Sequence, residues 1–93
     1  MNNLNINLKK IDDILLKWDE NSNLRKIYYS EIKDTLKILK RDNLIPLHLS
    51  SKLNDLNWNI DSMSKVGNND DGSFLDNQAL AFSNIQIIKS ESP

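Results

Sequence analysis

Leu4, Leu8, Ile11, Leu15 and Trp18 recur at spacings of four, three, four and three residues. No other feature constrains the fold as firmly. An α-helix turns once every 3.6 residues, so this spacing lines all five side chains along one stripe. Ile14 falls beside the stripe, while Lys9, Lys10, Asp12, Asp13 and Lys17 fall away from it. The pattern predicts an amphipathic helix over about residues 5–19. A second stripe, Tyr28, Ile32, Leu36 and Leu39, is flanked by Ile27 and Ile38. It predicts another helix over about residues 24–41. Asn21-Ser22-Asn23 supplies a turn between the two and side-chain oxygens suited to capping the second helix. Lys37, Lys40 and Arg41 gather at that helix's C-terminal end, where cations complement the helix dipole.

Asp42-Asn43 ends the second helix, and Pro46 biases Ile45 away from helical geometry. Leu49, Leu53 and Leu56, with Ser50-Ser51, predict a short helical turn. The period then changes. Trp58-Asn59-Ile60-Asp61-Ser62 alternates apolar and polar residues, as a half-buried strand does. Gly67-Asn68-Asn69-Asp70-Asp71-Gly72-Ser73 reads as a loop. Residues 79–88 read as a second strand. Ile85 and Ile87 share one face and Leu80 and Phe82 the other, so either both faces are covered or a bulge sits near Asn84. The expected fold class is α+β. Two N-terminal helices, in a segment over residues 1–45, precede an antiparallel β-hairpin in a β region over residues 46–93.

Length and composition bound the function. With 93 residues and 39% apolar content, the chain makes one small domain with a thin core, which argues against a self-contained enzyme. The absence of cysteine removes disulfides, thiolate metal sites and cysteine nucleophiles, and suits a reducing compartment. No apolar run approaches the roughly 18 residues of a membrane span. The first residues show no basic-then-apolar secretion signal. Charge is uneven. Residues 1–54 carry ten Lys/Arg and seven Asp/Glu, a net of +3, while residues 55–93 carry two Lys and six Asp/Glu, a net of −4. Two segments with different tasks are expected.

No catalytic, cofactor-binding or metal-binding residue is expected. His48 is the sole histidine, and nothing near Pro46-Leu47-His48-Leu49 resembles a nucleophile with an orienting partner. The carboxylate pairs Asp12-Asp13 and Asp19-Glu20 diverge by about 100° on a helix and read as solvated faces. Asn69-Asp70-Asp71 lacks the alternating ligands and closing Glu of a Ca²⁺ loop. Arg25, Lys26, Lys33, Lys37, Lys40 and Arg41 make the second helix basic, opposed by Glu31 and Asp34. This supports an alternative reading, a small helical nucleic-acid-binding accessory protein that uses helix 24–41.

Leu53, Leu56, Trp58, Ile60 and Asp61 resemble the opening of a COMM domain: a Leu, a short polar stretch, then a Trp followed by alternating apolar and polar residues. Glu31-Ile32-Lys33 and Leu36 are similar to the preceding helix, and Leu75 with residues 79–88 is similar to the second strand. The resemblance covers roughly residues 24–88. It implies a helical N-terminal region, a three-stranded antiparallel sheet and a closing helix. It also implies dimerisation through the COMM domain, other COMM domain subunits as partners, and membership of the Commander complex in endosomal recycling. Links to ubiquitin-ligase regulation, and a cytoplasmic location with endosomal or nuclear association, are implied too. Residues after Ile88 leave no counterpart for the third strand and closing helix, so a truncated member is expected.

A lone hairpin is marginal in water and leaves open edges. The expected remedy is a partner. The chain therefore reads as a non-catalytic adaptor subunit in a hetero- or homo-oligomer, with Leu53, Leu56, Trp58, Ile60, Phe82, Ile85 and Ile87 forming the partner-binding surface.

Overall fold

The computed structural model describes residues 3–19, 23–65 and 73–92. These form four α-helices: α1 (Asn3–Lys17), α2 (Arg25–Arg41), α3 (Ser50–Lys65) and α4 (Ser73–Glu91). A 3-10 turn, Leu47–Leu49, leads directly into α3. Each helix packs on its neighbours in a ring, α1 on α2, α2 on α3, α3 on α4 and α4 back on α1, with α3 against α4 the most extensive interface. Cross-helix contacts run in opposite sequence directions. Tyr29 meets Asp61 while Lys33 meets Asn57, and Gln78 meets Leu15 while Lys89 meets Asp12. α2 and α3 are therefore antiparallel, as are α4 and α1, the relation of neighbours in an up-down-up-down bundle.

One spacing builds the core. The Leu4-to-Trp18 stripe is buried throughout, and Ile32, Leu36 and Leu39 of α2 face it. Leu49, at the end of the 3-10 turn, and Leu53, Leu56, Ile60 and Met63 of α3 repeat the four-three spacing, and all are buried. Phe74, Ala81, Ile85 and Ile88 repeat it on α4, with half-buried Gln78 at the remaining position. Such a seam lets each side chain sit between those of the facing helix. One end is closed by aromatic rings. Trp18 lies 5.9 Å from Phe74, edge to face, and 6.5 Å from Tyr28.

The expected β-hairpin is absent from the described residues: residues 58–62 lie inside α3 and residues 79–88 inside α4. The fold is all-α, not α+β. Five residues of alternation fit either period. The longer stripe from Leu49 to Met63 fits the helical one alone. Inside 47–65 and 73–91 there is no glycine or proline to interrupt a helix, and Pro46, Gly67 and Gly72 lie between the elements. A helix also satisfies its backbone groups internally, which a lone hairpin does not. Asn84, where a bulge was one of two alternatives for the expected strand, instead belongs to an amide ladder. Asn84 Nδ2 donates to Asn59 Oδ1 at 2.7 Å, Asn59 Nδ2 to Asn77 Oδ1 at 3.4 Å, and Asn77 Nδ2 to the Ser73 carbonyl at 2.9 Å.

The first two helices lie close to expectation, shifted by two residues or fewer at each end. The cap of α2 differs. Leu24 occupies the N-cap position and makes no side-chain capping bond; residues 21 and 22 lie outside the described set. The C-terminus of α2 follows the reading at Asp42-Asn43. Asn43 adopts φ 53°, its amide donates to the Lys40 carbonyl at 3.2 Å, and the Leu44 amide donates to the Leu39 carbonyl at 3.0 Å. This is a Schellman stop, with asparagine in the left-handed position that glycine more often takes. Pro46 then starts the 3-10 turn, its carbonyl accepting from the Leu49 amide at 2.9 Å.

Two sets of variants test this architecture by urea denaturation. Leu56→Ala and Ile85→Ala each lose about 2–5 kcal/mol. Trp58→Ala, on an exposed face in this fold, stays within about 0.5 kcal/mol of the parent. A large loss at Trp58 with small losses at the other two would indicate the hairpin instead. Asn43→Gly leaves stability unchanged or slightly raised, whereas Asn43→Val costs about 1–2 kcal/mol by forcing a branched side chain into left-handed geometry.

Candidate functional site

The seven expected partner-binding residues do not share one surface. Leu53, Leu56, Ile60 and Ile85 are buried in the chain's own core, and Phe82 and Ile87 are partly buried. Only Trp58 is well exposed, at 67%. The reason is geometric. Alternate residues share a face on a strand, but are separated by about 200° on a helix. Trp58 and Ile60, taken as one face, therefore point to opposite sides of α3.

Where α2 meets α3, four polar side chains form a clasp. Tyr29 Oη donates to Asp61 Oδ1 at 2.8 Å. Lys33 Nζ donates to Asn57 Oδ1 at 2.8 Å and to Asp61 Oδ1 at 3.1 Å, and lies 5.9 Å from the centre of the Tyr29 ring. Burial pushes the Asp61 carboxyl up, but the hydrogen bonds from Tyr29 and Lys33, with the charges of Lys33 and Lys65, outweigh it and hold the group below its ordinary value. The hydrogen bond to Asp61, then burial and the Asp61 charge, raise the Tyr29 hydroxyl. These are mutually satisfied groups. The phenol keeps its proton, and the carboxylate already accepts two donors.

Beyond the clasp, toward the Asn43 turn, the α2–α3 joint opens into a cleft of about 240 Å³. Leu39, Ile45 and Leu53 line it on the core side, with Leu47 at its edge. Lys40, Asn43, Ser50, Asn54 and Asn57 bring polar groups to it. Leu47 is 88% exposed, the most exposed of the large apolar side chains among the described residues. The local chain path causes this. The Schellman stop turns Leu44 back onto the core, Pro46 sets the start of the 3-10 turn, and the α3 stripe begins at Leu49, leaving Leu47 outside it. Sequence reasoning missed Leu47. Its signal was an apolar residue that neither flanking stripe accounts for.

The basic end of α2 borders this cleft. Lys37 and Lys40 are exposed and make no ion pair among the described residues. Arg41 pairs with Asp42 at 3.0 Å, and Lys33 is held in the clasp. A second, larger groove of about 680 Å³ runs between α1 and α4, lined by Lys9, Asp12, Asp13, Leu16, Phe82 and Lys89 among others. Lys89 Nζ donates there to Asp12 Oδ2 at 2.9 Å, while exposed Asp13 pairs with Lys9 at 3.5 Å. The two aspartates thus take different partners, but only Asp13 lies on the expected solvated face; Asp12 is half-buried against α4. His48 is exposed on the 3-10 turn. Glu20 and the 67–72 stretch lie outside the described residues. Among those described, no group of His, Asp and Glu is gathered as metal ligands, and no helix is long and apolar enough to cross a membrane.

The clasp has a pH signature. The depressed Asp61 group contributes stability that is complete above the unfolded carboxylate value of about 3.9 and fades as pH falls through the lower folded value. The raised Tyr29 group contributes stability that is complete below about pH 10 and fades above it. Both side chains are partly exposed, so the clasp contributes no more than about 1 kcal/mol. Chemical denaturation from pH 2 to 7 should show a shallower acid-side slope for Asp61→Asn than for the parent; equal slopes would rule the clasp out as a source of acid sensitivity. Comparison with known proteins returns no matching family model, no matching curated protein and no matching solved structure.

Proposed function

We propose that this chain is a non-catalytic helical interaction module that docks a partner protein at the α2–α3 cleft. Leu47 carries the reading. A leucine left 88% exposed beside a cleft lined by Leu39 and Leu53 is ready to be covered. Burying such a side chain is worth about 1.5–3 kcal/mol, a contribution typical of an interface anchor. The non-catalytic half of the reading is supported by the clasp, where the Tyr29 hydroxyl and the Asp61 carboxylate are engaged with each other.

The adaptor role stands here in its general form. The assembly route implied by the COMM resemblance ran through a β region, and residues 50–65 and 73–91 are helical. The endosomal and ubiquitin-ligase associations rest on that resemblance alone. The nucleic-acid reading draws less support, because Lys33 and Arg41, two cations of the basic helix, are tied to Asp61 and Asp42.

Affinity purification from the native source, with partners identified by mass spectrometry, tests the proposal through two leucines. Leu47→Ser should lose a specific partner that Leu16→Ser, a change at another well-exposed leucine on α1, retains. Both variants should keep the parent's urea midpoint. Equal recovery by Leu47→Ser and the parent would remove the cleft as the docking site.

A further inference from the structure

Resting on the cleft reading above, we infer the chemistry of its occupant: an acidic segment of a partner protein that inserts a single leucine- to phenylalanine-sized side chain beside Leu47. Size supports the single anchor. At about 240 Å³ the cleft lies below the roughly 300–1,000 Å³ of small-molecule sites and suits one apolar side chain. Its apolar lining is Leu39, Ile45, Leu47 and Leu53, so an apolar anchor is favoured over a polar one.

Charge complementarity supports the acidic flanks. Lys40 lines the cleft, and Lys37 lies three residues before it, one turn away along α2. Both are exposed and free of ion pairs among the described residues. Two nearby acids are engaged elsewhere, Asp42 with Arg41 at 3.0 Å and Asp55 with Lys52 at 4.0 Å, while exposed Asp34, one turn before Lys37, makes no ion pair with it. The 3-10 turn and α3 also begin here, adding the positive end of a helix dipole. Asn43 and Asn54 make no side-chain hydrogen bond among the described residues, leaving two amides to meet the polar groups of an incoming backbone. The arrangement is an apolar socket with a cationic rim, which selects an apolar residue flanked by Asp or Glu.

A random twelve-residue peptide library displayed on phage, selected against the folded full chain, reads this directly. The expected winners carry one Leu, Ile, Met or Phe flanked by Asp or Glu. Their synthetic copies should shift the amide resonances of Lys40, Asn43, Leu47 and Asn54. The double variant Lys37→Glu/Lys40→Glu should weaken such a peptide by about tenfold or more, and replacing the peptide's acids with Lys should restore binding to that variant. Winners that are neutral or basic, or a charge swap that restores nothing, would overturn the acidic assignment while leaving the docking reading intact. Indifference of every winner to Leu47→Ser would overturn both. An oligonucleotide duplex that binds through Lys37 and Lys40, displaces the peptides and ignores Leu47→Ser would likewise overturn the assignment, in favour of nucleic acid.

Discussion

Four apolar stripes, each spaced four and three residues apart, have to close on one another. Everything else in the molecule follows from that closure. A single helix of 15 to 19 residues is marginal in water, because nucleation is costly and propagation gains little per residue. Each helix persists because its stripe is covered by those of two neighbours. The ring leaves no stripe exposed, and Leu8, Ile11, Ile32, Leu56 and Ile85 are fully excluded from solvent. This also removes the physical argument for a borrowed strand. The tail of the chain finishes the core itself.

Apolar stripes alone would allow the helices to slide by one repeat. Polar pairs at the interfaces discriminate between such arrangements. The Asn84–Asn59–Asn77 ladder links α3 to α4, and a shift of one turn would leave buried amides without partners. The Tyr29–Lys33–Asn57–Asp61 clasp does the same for α2 and α3, nearer the surface. Gln78 ties α4 to α1 by donating to the carbonyls of Leu15 and Trp18 at 2.8 and 2.9 Å, where α1 ends. The chain's asparagines, 14 of 93, thus include several with definite structural work.

The same packing decides what remains for a partner. A residue is exposed here when the stripe of its helix has no place for it. Trp58 sits on the outer side of α3, while Leu47 lies before the α3 stripe begins. The connector is short and rigidly specified, by a left-handed Asn43 and by Pro46, so Leu47 is presented in a defined place. An exposed apolar group held by a rigid turn loses little entropy on binding, which favours its use as an anchor.

Much of this was legible in the residues alone. The stripe from Leu4 to Trp18, the second helix, its stop at Asp42-Asn43, the turn before Pro46 and the divergence of Asp12 from Asp13 all follow from local periodicity and backbone preference. Leu53, Leu56, Ile60 and Ile85 were expected on a partner-binding surface and are instead buried in the chain's own core, because the helical seam covers them. The element type of residues 58–62 and 79–88 was misread from short windows, since a few alternating residues satisfy a strand and a helix equally, whereas the longer four-three stripe from Leu49 to Met63 fits a helix alone. Tertiary contact supplies the reason the helical form wins. As helices these segments present Leu56, Ile60, Met63, Ile85 and Ile88 to the stripes of α1 and α2, and bury together what a hairpin would have left at an open edge. Position on the surface was decided the same way. Trp58, Leu47 and the ammonium groups of Lys37 and Lys40 are exposed because of what the neighbouring helices cover, a property that belongs to the assembled bundle and to no single stretch of the chain.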